Sequence, residues 1–197
     1  MFVVGAVDCS GRALQFCQSK LDSKHLDLPV FVTTLQNTIS VIDNKDTLQS
    51  TRKLHDYVQS ALLNIGLIVN VNSAQHIQSR LLAFSPTPGH PSVAIMLLSE
   101  KYETSPMYAS LAYRHRADGF ASFGESRGKN LQLGKQFSVK KYPLLVALFG
   151  NEGNIERFEK YKGASMGLES LSKWLNSLTK KHFTSQNNKN RGKKSRR

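Results

Sequence analysis

The sequence contains little cysteine and no long apolar run. Its only cysteines are Cys9 and Cys17 among 197 residues, and two thiols alone make a poor metal site. No segment approaches the roughly 18 to 20 uninterrupted apolar residues that a membrane-spanning helix needs. The first residues, MFVVGAVDCSG, lack the basic leader and the apolar core of a signal peptide. Their apolar run instead predicts a buried strand, so we expect the chain to begin inside folded structure, as a fragment or a truncated gene product would.

Acidic residues are also scarce, and the resulting positive charge is concentrated at the C-terminus. Lys and Arg number 27 against 14 Asp and Glu, which gives a formal net charge of +13. The last 13 residues hold six Lys or Arg and no acid. Such a segment cannot bury apolar surface, so residues 182–197 are predicted to form a disordered basic tail. The tail can bind polyanions such as nucleic acid, or serve as a solubilising end or a nuclear address. Its candidate polyanion-binding residues are Lys193, Lys194, Arg196 and Arg197.

The rest of the sequence alternates between strand and helix patterns, which predicts an α/β fold. Residues 1–63 give the order strand, helix, strand, strand, helix, with a helix over Ala13 to Leu21 and a hairpin that ends in Thr38 to Ile42. Residues 64–181 repeat this order with a fuller beginning. In them, Val93 to Leu98 has the nearly continuous apolar character of a central strand. The sequence therefore predicts an internal repeat of roughly 110 residues whose first copy lacks its N-terminal part.

Two sequence motifs in the second copy resemble those of thioredoxin-fold domains in the protein disulfide-isomerase family. They are LGKQFSVKKYPLLVALF, from Leu133 to Phe149, and the motif from Tyr161 to Gly163 before the last helix. The resemblance is weaker in the first copy, where GAVDC and LDLPVFV stand at the corresponding positions. The resemblance implies a mixed central sheet with flanking helices in residues 64–181, and a partial, truncated unit of the same kind in residues 1–63. Such tandem units are most similar to the modules of DnaJ-type co-chaperones, although no His-Pro-Asp tripeptide occurs here.

The redox dithiol of that family is missing from the second copy. In the family, a Cys-x-x-Cys follows the central strand at a helix N-terminus, where the helix dipole lowers the pKa of the first thiol. The corresponding segment, Ser99 to Tyr113, has no cysteine, and that of the first copy would lie before Met1. We therefore predict a protein that is not an enzyme, with no catalytic residues, no cofactor and no metal. A Cys-x-x-Cys upstream of Met1 would instead restore an oxidoreductase.

The resemblance also implies a peptide-binding site. Pro143 matches the family's cis-proline, which offers a backbone edge to an extended peptide. Tyr142, Pro143 and Leu144 are therefore the predicted peptide-binding residues, and Pro29 is a fainter counterpart in the first copy. At both prolines the alternative is a trans bond that merely ends the link after a helix.

A structural disulfide between Cys9 and Cys17 is implied by the same resemblance, with free buried thiols or a redox pair as the alternatives.

The resemblance further implies a non-catalytic binding or scaffold module in a protein-folding or chaperone context, whose partners are unfolded or partner proteins. Nucleic-acid binding through the basic tail is the alternative function. The family context predicts the endoplasmic reticulum lumen or the secretory pathway, and a cytoplasmic or nuclear location is the alternative.

Other polar motifs give no additional site. The six histidines are scattered, and none has a serine or cysteine that the sequence places beside it. The basic cluster YRHR, from Tyr113 to Arg116, is expected to be the exposed end of a helix. FGESRGKN, from Phe123 to Asn130, matches neither the Walker phosphate loop nor the dinucleotide fingerprint.

Overall fold

The structure is a computed structural model, and the chain in it divides into two compact units, Met1–Ala61 and Leu62–Arg197. The residues that it describes are 14–20, 32–35, 38–42, 47, 49–83, 92–151 and 153–194.

The described part of the first unit consists of a short helix, a two-stranded hairpin and a longer helix. Helix α1 spans Leu14–Lys20. Strands β1 (Val32–Leu35) and β2 (Thr38–Val41) pair in antiparallel register. Helix α2, Thr51–Leu63, follows and crosses the boundary into the second unit. The helix and hairpin therefore form where the sequence patterns predict them, whereas a truncated thioredoxin-like unit in this region stays a prediction.

Cys17 lies on the buried side of α1. Its side chain is 2% exposed and is disulfide-bonded, whereas the neighbouring Phe16 is 52% exposed. The predicted partner Cys9 lies outside the described residues, as does Pro29. The pairing of Cys9 with Cys17 and the isomer at Pro29 therefore stay predictions.

The second unit is built around a five-stranded mixed sheet in the order β3-β5-β4-β6-β7. Strands β3 and β4 run parallel to β5, and β6 is antiparallel to both β4 and β7. All seven residues of β4 are buried, as expected of a central strand covered on both faces. The five strands are β3 (Ile68–Asn70), β4 (Ser92–Leu98), β5 (Ser122–Ser126), β6 (Leu144–Asn151) and β7 (Asn154–Lys160).

Helices cover both faces of this sheet. Buried side chains of α4 and α6 pack with one face of β4, and those of α3 and α5 pack with the other. A mixed sheet between two helical layers is the thioredoxin-like arrangement that the sequence predicts for this unit. The helices are α3 (Ala74–His76, continued by a π-helical turn over Ile77–Leu81), α4 (Pro106–His115, extended by a 3-10 turn over Arg116–Asp118), α5 (Leu131–Gln136) and α6 (Leu168–Lys194).

The last helix is longer than the sequence predicts. Helix α6 continues to Lys194 and so replaces the predicted disorder over residues 182–194. Its first turns are held by the buried Leu171, Leu175 and Leu178. Extending a helix that is already formed requires no new nucleus, and the segment is helical although its three Asn and one Gly are poor helix formers. Although α6 has 27 residues, no helix in the described part of the chain is apolar enough to cross a membrane.

Candidate functional site

Three loops of the second unit meet at one edge of the sheet. Residues 99–105 follow β4 and residues 127–130 follow β5; these strands are parallel, so their carboxyl ends lie at the same edge. Residues 137–143 precede the antiparallel strand β6, whose first residue, Leu144, pairs with the last residue of β4, Leu98. We call these three loops the corner. It is the place where the family's dithiol would stand.

Backbone hydrogen bonds fix two of these loops to each other. The Lys129 N–H donates to the Ser99 carbonyl at 2.9 Å, and the Gly128 N–H donates to the Lys101 carbonyl at 3.1 Å. Gly128 has a φ of +67°, and a Cβ built there would lie 2.7 Å from the Tyr102 ring. Glycine is therefore needed both for the left-handed turn and for the close approach of the ring. The Tyr102 side chain remains 81% exposed.

A buried carboxylate lies beneath the corner. Glu125, on β5, is 1% exposed and forms an ion pair with the Arg127 guanidinium, whose Nε donates to Glu125 Oε1 at 2.6 Å. The Thr104 hydroxyl donates to the same oxygen at 2.5 Å. A second nitrogen of Arg127 donates to the Tyr102 carbonyl at 3.3 Å. Glu125 is therefore held by groups from both loops, because a buried charge has to be paired and hydrogen-bonded.

Tyr108, on α4, is the second buried ionisable group near the corner. Its hydroxyl lies 2.7 Å from the Ile95 carbonyl and 2.8 Å from the Gly124 carbonyl, and it donates to this pair. Burial raises the pKa of the Tyr108 phenol well above its ordinary range, and the Glu125 carboxylate raises it further. The buried Tyr108 hydroxyl thus joins α4 to strands β4 and β5.

The three predicted peptide-binding residues lie together in the corner. The Tyr142–Pro143 peptide bond is cis, as the resemblance implies. Pro143 is exposed, and Tyr142 and Leu144 are half-buried. The Tyr142 ring passes over α5 at Gly134, where an added Cβ would lie 2.7 Å from the Tyr142 hydroxyl. A small residue at this position of α5 therefore allows the ring to lie close against the helix.

An open cleft of about 550 Å³ adjoins these residues. Its apolar lining comes from Val139, Tyr142 and Leu131, and the Leu131 side chain is 69% exposed. Glu100 is the acidic residue in this lining. We call this feature the basic cleft, because four lysines also line it: Lys129, Lys135, Lys140 and Lys141.

The other candidate residues belong to other parts of the chain. Cys17 belongs to the first unit. Lys193 and Lys194 end α6, and Arg196 and Arg197 lie outside the described residues. Polyanion binding by the C-terminal segment therefore stays a prediction.

The basic cluster from Tyr113 to Arg116 is explained by local contacts at the end of α4. Arg116 stacks over the Tyr113 ring at 3.5 Å, and Arg114 donates to Glu169 of α6 at 2.7 Å. That hydrogen bond lowers the pKa of the Glu169 carboxyl. The two arginines of the cluster are exposed, as predicted for a helix end, whereas the His115 side chain is only 11% exposed.

Sequence reasoning missed both the buried ion pair and the basic cleft. The ion pair lies within FGESRGKN, where one acid follows apolar strand residues and an arginine stands two positions later. That spacing of an acid and an arginine was the feature of the sequence from which the ion pair could have been predicted. For the cleft, the adjacent Lys140 and Lys141 were visible in the sequence, but their proximity to Lys129 depends on the fold.

A comparison with solved structures finds similar chains at low sequence identity. Full-length ERdj5 is 15% identical with a TM-score of 0.43, over 85% of this chain and 23% of that chain. The Trx4 domain of ERdj5 is 11% identical with a TM-score of 0.44, over 57% of this chain and 96% of that domain. The zinc-bound form of human ERp44 is 13% identical with a TM-score of 0.40, over 83% of this chain and 41% of that chain.

The chain spans less than a quarter of the length of full-length ERdj5. No protein-family model matches the sequence, and the search of curated proteins gave no match. Structural similarities with TM-scores below 0.5 carry no information about function, which has to come from the residues of the corner and the basic cleft.

Proposed function

We propose that the second unit is a non-catalytic binding module that holds extended segments of unfolded or partner proteins in a protein-folding context. The main support is the apolar and aromatic surface of Tyr142, Pro143 and Leu144 beside the open basic cleft. Recognition sites for peptides usually combine such a surface with a few convergent polar groups. Here the polar groups are the lysines of the cleft.

The chemistry of the corner supports binding instead of catalysis. The segment from Ser99 to Tyr113 contains no thiol, so disulfide exchange has no nucleophile there. The Glu125 carboxylate is already paired with Arg127, and the buried Tyr108 hydroxyl is hydrogen-bonded to two backbone carbonyls. Both groups are engaged in contacts within the fold.

The position of Tyr142 favours an extended ligand. Residues 141–143 directly precede the ladder between β6 and β4, which begins at Leu144. A peptide that follows this segment would contact Tyr142, Val139 and Leu131, which line the same cleft. Pockets for the side chains of an extended peptide give specificity to its binding.

Replacing Tyr142 with alanine should weaken peptide binding by about tenfold, because a central aromatic side chain commonly contributes more than 1 kcal/mol to an interface. Fluorescence anisotropy with a labelled peptide from a reduced, unfolded protein would measure the dissociation constant. Thermal unfolding of the same variant would check that the fold is intact.

Tyr113→Ala is the matched control, since Tyr113 lies at the far end of α4 from the corner. It should leave the dissociation constant unchanged. Wild-type affinity in the Tyr142→Ala variant, or an equal loss in the Tyr113→Ala variant, would remove the corner as the peptide site.

We further propose that the protein works in an oxidising compartment such as the endoplasmic reticulum lumen or the secretory pathway. The disulfide bond at Cys17 supports this location, because disulfides rarely persist in the reducing cytosol. Peptide mapping by mass spectrometry without reductant should recover Cys9 linked to Cys17. Alkylation of both thiols in protein taken directly from cells would favour the cytoplasmic or nuclear alternative.

A further inference from the structure

The basic cleft concentrates positive charge beside the peptide surface. Lys129, Lys135, Lys140 and Lys141 line it together with a single acid, Glu100. All four lysine side chains are exposed. Within the described part of the chain, the recorded salt bridges involve none of these four lysines. Their positive charge is therefore available to a ligand.

The framework of the cleft is held in place by the fold. Lys129 is fixed by its N–H bond to the Ser99 carbonyl. At the other side, Lys160 of β7 donates to the Ser138 carbonyl at 3.0 Å. The start of α5 is anchored by Asn130, whose side chain donates to the Asn72 carbonyl at 2.9 Å. The lysines consequently project from backbone that is already ordered, which reduces the entropic cost of binding.

The apolar residues of the cleft distinguish its ligand from a simple anion. Leu131 is 69% exposed, and Val139 and Tyr142 lie in the same cleft. A small inorganic anion would leave this surface uncovered. A segment that alternates acidic with apolar side chains would cover it and neutralise the lysines at the same time.

We propose that the basic cleft selects acidic extended segments, in which Asp or Glu alternates with apolar residues, among the peptides that the corner binds. This inference rests on the proposed peptide-binding function and specifies its ligand class. Charge complementarity of this kind contributes to specificity and to the rate of association. The interaction is consequently screened by salt, because the Debye length is about 10 Å at 0.1 M ionic strength.

The test uses the full chain and three labelled peptides of one length: Leu and Phe alternating with Glu, with Gln or with Lys. We expect the Glu peptide to bind at least about tenfold more tightly than the Gln peptide at low salt, and the difference to shrink as salt rises. The triple variant Lys135→Gln, Lys140→Gln, Lys141→Gln should remove most of this preference while still binding the Gln peptide.

A control variant with the same change of net charge is Lys53→Gln, Lys162→Gln, Lys173→Gln, whose lysines are exposed and outside the cleft. It should keep the preference for the Glu peptide. Equal losses in the two triple variants would show a general charge effect and overturn the inference.

The remaining outcomes separate this inference from the proposed function. If the Gln and Glu peptides bind equally and Tyr142→Ala weakens both, peptide binding stands and the selectivity for acidic segments fails. If none of the peptides binds, both fail. If single-stranded RNA binds more tightly than the Glu peptide and is lost in the cleft variant, the cleft serves nucleic acid and the inference is wrong.

Discussion

Replacing Arg127 with alanine should lower the free energy of unfolding by about 3–5 kcal/mol, because it leaves the Glu125 carboxylate buried without its counter-ion. Glu125 is 1% exposed, so its carboxylate depends on Arg127 and Thr104 for its hydrogen bonds. Urea denaturation would measure the loss. Trp174 is the single tryptophan of the chain, and it lies 5.3 Å from the Tyr161 ring within the second unit, so its fluorescence reports on this unit.

Two further variants test the reason for that loss. Arg114→Ala removes an ion pair whose two side chains are 48% and 71% exposed, so it should cost far less. Adding Glu125→Gln to Arg127→Ala should recover much of the stability, because a neutral amide tolerates burial better than an unpaired carboxylate. A loss for Arg127→Ala no larger than that for Arg114→Ala, or no recovery in the double variant, would show that the pair is not energetically important.

The ion pair between Glu125 and Arg127 also helps to hold the loops of the corner together. Thr104 precedes α4, and Arg127 follows β5; both are hydrogen-bonded to Glu125. The loop in which the family carries its dithiol is thereby tied to the neighbouring loop. The corner therefore has internal contacts of its own, although its residues from Ser99 to Tyr113 include no cysteine.

The central strand of the second unit was predictable because its sequence pattern is local. The run from Val93 to Leu98 is apolar throughout, and it forms the fully buried strand β4. Pro143 directly precedes the next strand, β6, and the Tyr142–Pro143 peptide bond is cis. The buried strand follows from residues that are neighbours in the chain, whereas the cis bond was implied by the resemblance.

The features that escaped prediction depend on residues that are distant in the chain. Glu125 is bound by Thr104, which is 21 positions away, and Lys129 lines the same cleft as Lys141 although a whole helix, α5, separates them in the sequence. The length of α6 was missed for another reason. Composition alone favours disorder in a basic segment, but the leucines of the preceding turns, such as Leu175, have already formed the helix that this segment extends.

Packing beneath the basic cleft depends strongly on one aromatic residue, so Phe137→Ala should lower the free energy of unfolding by about 3–5 kcal/mol. Phe137 is 1% exposed and follows α5 directly. Its ring meets Phe158 of β7 edge-to-face, with 5.4 Å between the ring centroids. Helix α5 has only six residues, too few to be stable without such packing.

Because α5 and the following loop carry Lys135, Lys140 and Lys141, the Phe137→Ala variant should also lose peptide affinity at temperatures where the whole unit is still folded. Urea denaturation and anisotropy on the same samples would measure the two effects. Phe158→Ala is the control: its ring is 44% exposed, so it should cost clearly less, and the double variant should reveal a coupling of about 0.5–1.5 kcal/mol between the rings. Two results would contradict the view that Phe137 supports the cleft. One is equal destabilisation by the two single variants. The other is unchanged peptide affinity in a measurably destabilised Phe137→Ala protein, because the affinity would then not depend on how α5 is packed.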